Sequence, residues 1–168
     1  KDLKNVEMMG KNDPYVILSL GDKKWSQKTA TQEEAGSEAV WDIDPRDANW
    51  KIDVSYEDIA KGNLSVVVMD ENNLRTDVVI GEGQASLLSL AVSGVSDNEV
   101  TLTVPLLDKS GKKSTGTVLL TLRLGTPPPV VVLPKKPTFE NAQLHVCKIE
   151  AKDLKNVEMM GKNDPYVI

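Results

Sequence analysis

The sequence predicts an all-β fold, an eight-stranded antiparallel β-sandwich, on three observations. Apolar residues alternate with polar ones at a period of two, turn residues recur between these runs, and only two short stretches carry a helical pattern. Of the 168 residues, 40% are hydrophobic but only 4% are aromatic, so aliphatic side chains have to fill the core. A chain of this length buries a sizeable core as one domain, or as one domain plus a fragment.

Taken in chain order, PYVILSL (14–20) is the first strand, and Gly21-Asp22 turns it into KKWSQKTAT (23–31). WKIDVSY (50–56) and LSVVVM (64–69) follow, with a short helix over 57–61 and the turn Lys61-Gly62-Asn63 between them. A strand over 78–87 leads to a second short helix over 86–92. EVTLTVPLL (99–107) and TVLLTLRL (117–124) flank the Lys-Ser-Gly-Lys-Lys turn at 109–113, and LHVCKI (144–149) completes the set. Trp41 and Trp50 bracket the acidic WDIDPRDANW, read as a loop whose indoles cap the core.

An internal identity organises the chain. Residues 1–17, KDLKNVEMMGKNDPYVI, recur as residues 152–168, and seventeen identical positions rule out coincidence. The offset, position 1 recurring at 152, is of domain size and too long for a solenoid unit. Natural tandem repetition and an engineered permutation both produce such a pattern, and the first is the expectation. TPPPVVVLPKKP (126–137) reads as a short, semi-rigid polyproline-type spacer. The expected division is a domain over 1–125 lacking its first strand, a Pro-rich linker over 126–138, and the first strand and first loop of the next repeat over 139–168.

Several function classes are excluded as expectations. The net charge of -5 argues against a general electrostatic grip on nucleic acid or anionic lipid and leaves only a local basic patch for either. A single cysteine, Cys147, leaves no disulfide framework and no CxxC metal site, and its apolar alternation with Leu144, Val146 and Ile149 reads as a buried, inert thiol. No apolar run approaches the roughly 18 residues that span a bilayer, and the first residues are charged, so a soluble cytoplasmic protein is expected. His145 is the only histidine and alternates with apolar neighbours on a strand, so no Ser-His-Asp or Cys-His arrangement assembles around it. Gly81-Glu82-Gly83 is not followed by the rest of a phosphate loop. The expectation is that the chain is not an enzyme.

Two loops carry the remaining chemistry. LKNVEMMGKNDPYVILSL (3–20) resembles the first-loop signature of C2 domains, in which an acid precedes a Gly-x-x-Asp-Pro-Tyr-Val run. LSVVVMDENNLRTDVVIGEG (64–83) is similar to the family's second hallmark, an apolar strand ending in an Asp-x-Asp pair and returning into an Ile-Gly strand. TVLLTLRL, with a start at LHVCKIEAKDL, resembles the strand order of the phospholipase C subtype. The resemblance covers essentially a whole period and implies a calcium- and phospholipid-binding β-sandwich within a tandem array.

Calcium takes six to eight hard oxygen ligands, and converging carboxylates supply the charge. The second loop offers Asp70, Glu71, Asn72, Asn73 and Asp77, and the first offers Glu7 and Asp13. The resemblance implies a set of five aspartates, and carried over it falls on Glu7, Asp13, Asp70, Asn72 and Val78, with Asp77 beside the last. The expected ligands are therefore Glu7, Asp13, Asp70, Asn72 and Asp77, and calcium (Ca2+) binding is expected to be weak. The alternative is a degenerate site kept as a structural loop.

Val6, Met8 and Met9 flank the first-loop acid and Leu74 lies in the second loop, so the resemblance implies insertion between headgroups, with Lys11 and Arg75 as phosphate contacts. Packing of these residues on their own loops or on a neighbouring module is the alternative. Lys23, Lys24 and Lys28 around Trp25 match a lysine-rich strand that binds lipid headgroups in some relatives, or else a solvated face. Two functions stay open. One is a module for anionic phospholipid membrane. The other is a structural repeat of a scaffold or cytoskeletal filament, with neighbouring C2 repeats or scaffold proteins as partners.

Overall fold

The computed structural model describes residues 1–7, 10–21, 24–73, 75–93, 98–125 and 141–151. Among the described residues nine strands form: β1 Pro14–Leu20, β2 Ser26–Lys28, β3 Ala39–Asp42, β4 Lys51–Val54, β5 Asn63–Asp70, β6 Val78–Ser86, β7 Glu99–Leu107, β8 Ser114–Gly125 and β9 Ala142–Ala151. Two short helices, α1 Tyr56–Lys61 and α2 Leu88–Ser93, lie where the helical patterns stood. The strand that the sequence did not reveal is β3, since four residues inside the Trp-bracketed segment are too few to show a period. Trp41 and Trp50 are both buried, as capping residues should be. Of the expected strand over 23–31, the described residues 24–31 form a strand over Ser26–Lys28, at the sheet edge beside β1.

All pairings are antiparallel, and the sheet order is β2-β1-β5-β6-β7-β8-β9-β3, with β4 also on β9. β6 and β7 are joined at Glu82 opposite Leu107, and the sheet curls around a single apolar core. Gly81 and Gly83 belong to this join. A Cβ on Gly83 would lie 2.6 Å from the Pro105 carbonyl oxygen, and one on Gly81 would lie 2.0 Å from the Thr115 hydroxyl. The glycines there serve close approach of strands, not phosphate binding.

The core follows from the period-two pattern. Leu18 and Val16 of β1, Leu64, Val66 and Val68 of β5, Leu120 and Leu122 of β8, and Leu144 and Ile149 of β9 are all 0% exposed. Each such side chain contributes about 1.5–3 kcal/mol relative to leaving it in water. β9 carries an irregularity between its pairs with Thr121 and Leu122, which leaves Cys147 as the extra residue. That corrects the reading of this thiol: Cys147 is half-buried on a bulge and not sealed in the core. α1 starts at Ser55, whose hydroxyl accepts from the Asp58 amide at 3.2 Å while Asp58 Oδ2 accepts from the Ser55 amide at 2.7 Å.

Candidate functional site

β1 and β5 pair from Leu20–Leu64 to Pro14–Asp70, so the loop before β1 and the loop after β5 leave the sheet side by side. Two buried asparagines shape the first loop. Asn5 Oδ1 accepts from the Glu7 amide at 2.7 Å, and Asn12 Oδ1 accepts from the Val6 amide at 2.8 Å. Asn12 Nδ2 donates to the Lys4 carbonyl at 3.0 Å. Side-chain amides thus replace the ladder bonds that this backbone lacks. The Glu71 amide donates to the Asp13 carbonyl at 2.8 Å and ties the two loops together.

Asp70 is the last residue of β5 and continues the inward face of Leu64, Val66 and Val68, with the same 0% exposure. Burial pushes its carboxyl up to about 8, opposed by the Asp13 amide, which donates to Oδ1 at 2.6 Å, and reinforced by the charges of Glu7 and Asp13. Asn72 Nδ2 reaches Asp70 Oδ2 at 3.4 Å. Asp13 is itself raised to about 6, first by burial and then by Glu33, Glu7, Glu34 and Glu71.

Asp77 has the opposite character. The Tyr15 hydroxyl donates to its Oδ2 at 2.6 Å and the Asn72 amide to its Oδ1 at 3.1 Å, and the tyrosine bond holds its carboxyl below the usual range. The same pairing, with burial as the larger cause, raises the Tyr15 phenol well above its ordinary value.

The sequence did not identify a third contributing segment, residues 31–34. The Glu34 amide donates to Asp13 Oδ1 at 3.0 Å, Glu33 and Glu34 both raise Asp13, and Thr31 Oγ1 donates to Glu71 Oε2 at 3.2 Å. Adjacent glutamates ahead of a Gly turn were the available signal, but nothing local tied them to a loop far away in sequence. Tyr15 was likewise read only as part of the Asp-Pro-Tyr-Val run.

Of the expected ligands, Glu7, Asp13 and Asp70 interact electrostatically, Asn72 bonds to Asp70, and Asp77 is engaged by Tyr15. The donor set is all oxygen and strongly anionic, which fits calcium. Among the described residues, however, no three His, Cys, Asp or Glu side chains already converge as around a held metal ion. The carboxylates are close enough to repel but are not gathered around one point.

Of the expected membrane contacts, Val6 packs half-buried against the core and Lys11 Nζ pairs with Glu34 Oε2 at 3.3 Å, while Arg75 is exposed. Met8, Met9 and Leu74 lie outside the described residues, as does Lys23 of the lysine strand. Lys24 and Lys28 are exposed. Lys28 Nζ stands 4.2 Å from the Tyr15 ring centroid and 3.9 Å from Glu71 Oε1. The concavity beside Lys28, about 400 Å³, is also lined by Asp42, Asp44 and Asp47, a charge balance that disfavours phosphate. No described helix is long and apolar enough to cross a membrane.

Comparison with known proteins gives a consistent picture. The model of a family described as C2 domain matches residues 1–102 and 142–168. The chain is 26% identical over 206 positions to Synaptotagmin-4 of Arabidopsis thaliana, an alignment that takes in 100% of this chain and 34% of the relative. It is 26% identical over 167 positions to Synaptotagmin-1 of Aplysia californica, covering 99% of this chain and 35% of the relative. It is also 26% identical over 115 positions to the Protein SRC2 homolog of Arabidopsis thaliana, covering 67% of this chain and 34% of the relative. The chain spans about a third of the length of these curated relatives. No solved structure matches.

Proposed function

The chain belongs to the C2 domain family, and from that premise we propose that it is a non-catalytic module that docks on anionic phospholipid through its paired loops. Calcium acts there as a weakened bridge between loop carboxylates and lipid phosphates. The observation that carries this reading is Asp70: a carboxylate with 0% exposure, pushed up to about 8, beside Glu7 and Asp13. An apolar residue would continue the inward pattern of β5 at much lower cost, so a buried titratable carboxyl at this position points to a use beyond stability.

Calcium would be held by Asp70, Asp13 and Glu7 with the Asn72 amide oxygen, and its charge would offset their mutual repulsion. Asp77 contributes less, because the Tyr15 hydroxyl already stabilises its charged form, whereas Asp70 is grouped with Glu7 and Asp13. Since the carboxylates do not converge beforehand, the loops have to close on the ion, which lowers affinity. The exposed Arg75 supplies a direct phosphate contact that needs no metal. The module is in this reading a peripheral membrane protein on the cytoplasmic side.

The duplication of residues 1–17 at 152–168 favours a second, compatible reading, in which the chain is one period of a tandem array. The segment over 139–168 then opens the next repeat, and the array serves as a scaffold or cytoskeletal filament through contacts between repeats. Sedimentation of the whole chain with vesicles separates the two. Pelleting with phosphatidylserine vesicles in calcium, reduced by chelator and absent with phosphatidylcholine alone, is the expected result. Failure to pellet at millimolar calcium would remove the membrane reading and leave the scaffold.

A further inference from the structure

The turn between β7 and β8 leaves the sheet at the same end as the paired loops. β6 begins at Val78, opposite Asp70, and β7 runs antiparallel to it with Leu107 opposite Glu82. The residues after Leu107 therefore run towards the Val78 end of β6, where the 71–77 loop lies. β8 returns alongside the segment that leads into the first loop. The Thr117 amide donates to the Lys1 carbonyl and the Lys4 amide to the Thr115 carbonyl, both at 2.7 Å. Residues 108–113 thus stand on the loop end of the sheet, beside the start of the first loop.

The turn reads DKSGKK, and Asp108 builds it. Its Oδ1 accepts from the Ser110 hydroxyl at 2.6 Å and from the amides of Ser110, Lys112 and Lys113 at 3.1, 3.2 and 3.4 Å. The Ser110 hydroxyl bond is the largest cause holding the Asp108 carboxyl below its usual range. Gly111, at φ +69, closes the turn, and its amide donates to the Asp108 carbonyl at 2.7 Å. The one acid of the turn is therefore engaged by the turn itself. Lys109, Lys112 and Lys113 are exposed, and among the described residues none of them makes an ion pair. The exposed Lys4 adds a further cation at the base of the turn.

Glu7, Asp13, Asp70 and Asp77 lie at the same end, and the lysines are not drawn into them. Without calcium those acids and the net charge of -5 repel an anionic bilayer. A cluster of ammonium groups with no acidic partner is the feature that such a surface attracts, within a Debye length of about 10 Å at 0.1 M salt. We propose that the 108–113 turn is a second membrane contact, which holds anionic phospholipid headgroups without calcium and brings the acidic loops to the bilayer. The proposal rests on the membrane reading given above and adds to it a part that uses none of the loop carboxylates. Calcium then bridges loops that are already at the surface, so its effective affinity is raised.

Sedimentation of the whole chain with vesicles of phosphatidylserine in phosphatidylcholine, in chelator and in calcium, tests it. Binding in chelator at low salt is expected, and it should fall as salt rises. Lys109→Gln, Lys112→Gln and Lys113→Gln together should weaken it by on the order of 100-fold, from about fivefold for each lysine at the surface. Arginine at the same three positions should retain it, because the charge is kept. Lys61→Gln removes one charge from α1 at the far end of β5 and should leave binding as it is. Binding by the wild type only in calcium, or equal binding by the glutamine variant in both buffers, overturns the role of the turn and leaves the calcium-bridged reading standing. A wild-type chain that pellets in neither buffer overturns both.

Discussion

The two ends of the loop between β5 and β6 carry the same side chain in opposite states. At its start, Asp70 is 0% exposed and its carboxyl is pushed up to about 8. At its end, Asp77 accepts from the Tyr15 hydroxyl and the Asn72 amide and is held below the usual range. In the proposed reading the difference separates a structural acid from a functional one. Asp77 has its negative charge satisfied by the protein and stabilises the loop. At Asp70 the protein favours the protonated carboxyl, and a divalent cation is the partner that would stabilise its charged form.

Breaking the comparison at Asp70 has the largest expected effect. Asp70→Asn keeps an oxygen to accept from the Asp13 amide but removes the need to hold a buried carboxyl protonated at neutral pH, so without calcium the midpoint of thermal unfolding should rise by several degrees. The gain in stability that calcium confers on the wild-type chain should vanish in the same variant. Differential scanning calorimetry with and without calcium reads both. A variant that is less stable in calcium-free buffer would mean that Asp70 is as well satisfied as Asp77.

The second effect concerns pH. Asp70 and Asp13 have folded-state values of about 8 and about 6, above the ordinary 3.8. The folded state therefore binds protons that the unfolded state has released, so the contribution of these two acids to calcium-free stability is fully present below pH 3.8 and is lost as pH rises through about 6 and about 8. Denaturant midpoints measured from pH 5 to 8.5 should decline without calcium, and Asp70→Asn should flatten the upper part of that decline.

Tyr15→Phe works at the other end. It removes the donor to Asp77 Oδ2 and is expected to destabilise by about 1 kcal/mol at neutral pH. Because the folded value of Asp77 is depressed, its contribution is present above pH 3.8 and lost as pH falls below it, so the penalty should shrink in acid. The smallest effect is expected from Lys28→Gln. Its pairing with Glu71 at 3.9 Å is partly exposed, and together with the Tyr15 ring contact it should be worth less than about 1 kcal/mol and fade in high salt.

The sequence made some of this plain and concealed the rest, for physical reasons. Strands long enough to show a period, such as Pro14–Leu20 and Glu99–Leu107, were legible with their ends, and so was the β-sandwich they build. Ala39–Asp42 was not, because four residues cannot establish an alternation. Asp13 and Asp70 stood out through their motifs, but the partition between Asp70 and Asp77 depends on Tyr15 reaching across from another strand. The part played by Glu33 and Glu34 depends on a loop folding over Asp13. Contacts between segments far apart in sequence leave no local periodicity, so they become visible only in the folded chain.

The central claim is that calcium at a phospholipid surface takes the place of the proton on the Asp70 carboxyl, and Asp70 is the right residue to test because it lies outside the repeated segment. Isothermal titration of calcium into the whole chain with phosphatidylserine vesicles, beside the Asp70→Asn variant, addresses it most directly. Saturable binding that the vesicles strengthen and that Asp70→Asn abolishes is the predicted result. The absence of heat up to millimolar calcium, or equal binding by the variant, would contradict the claim.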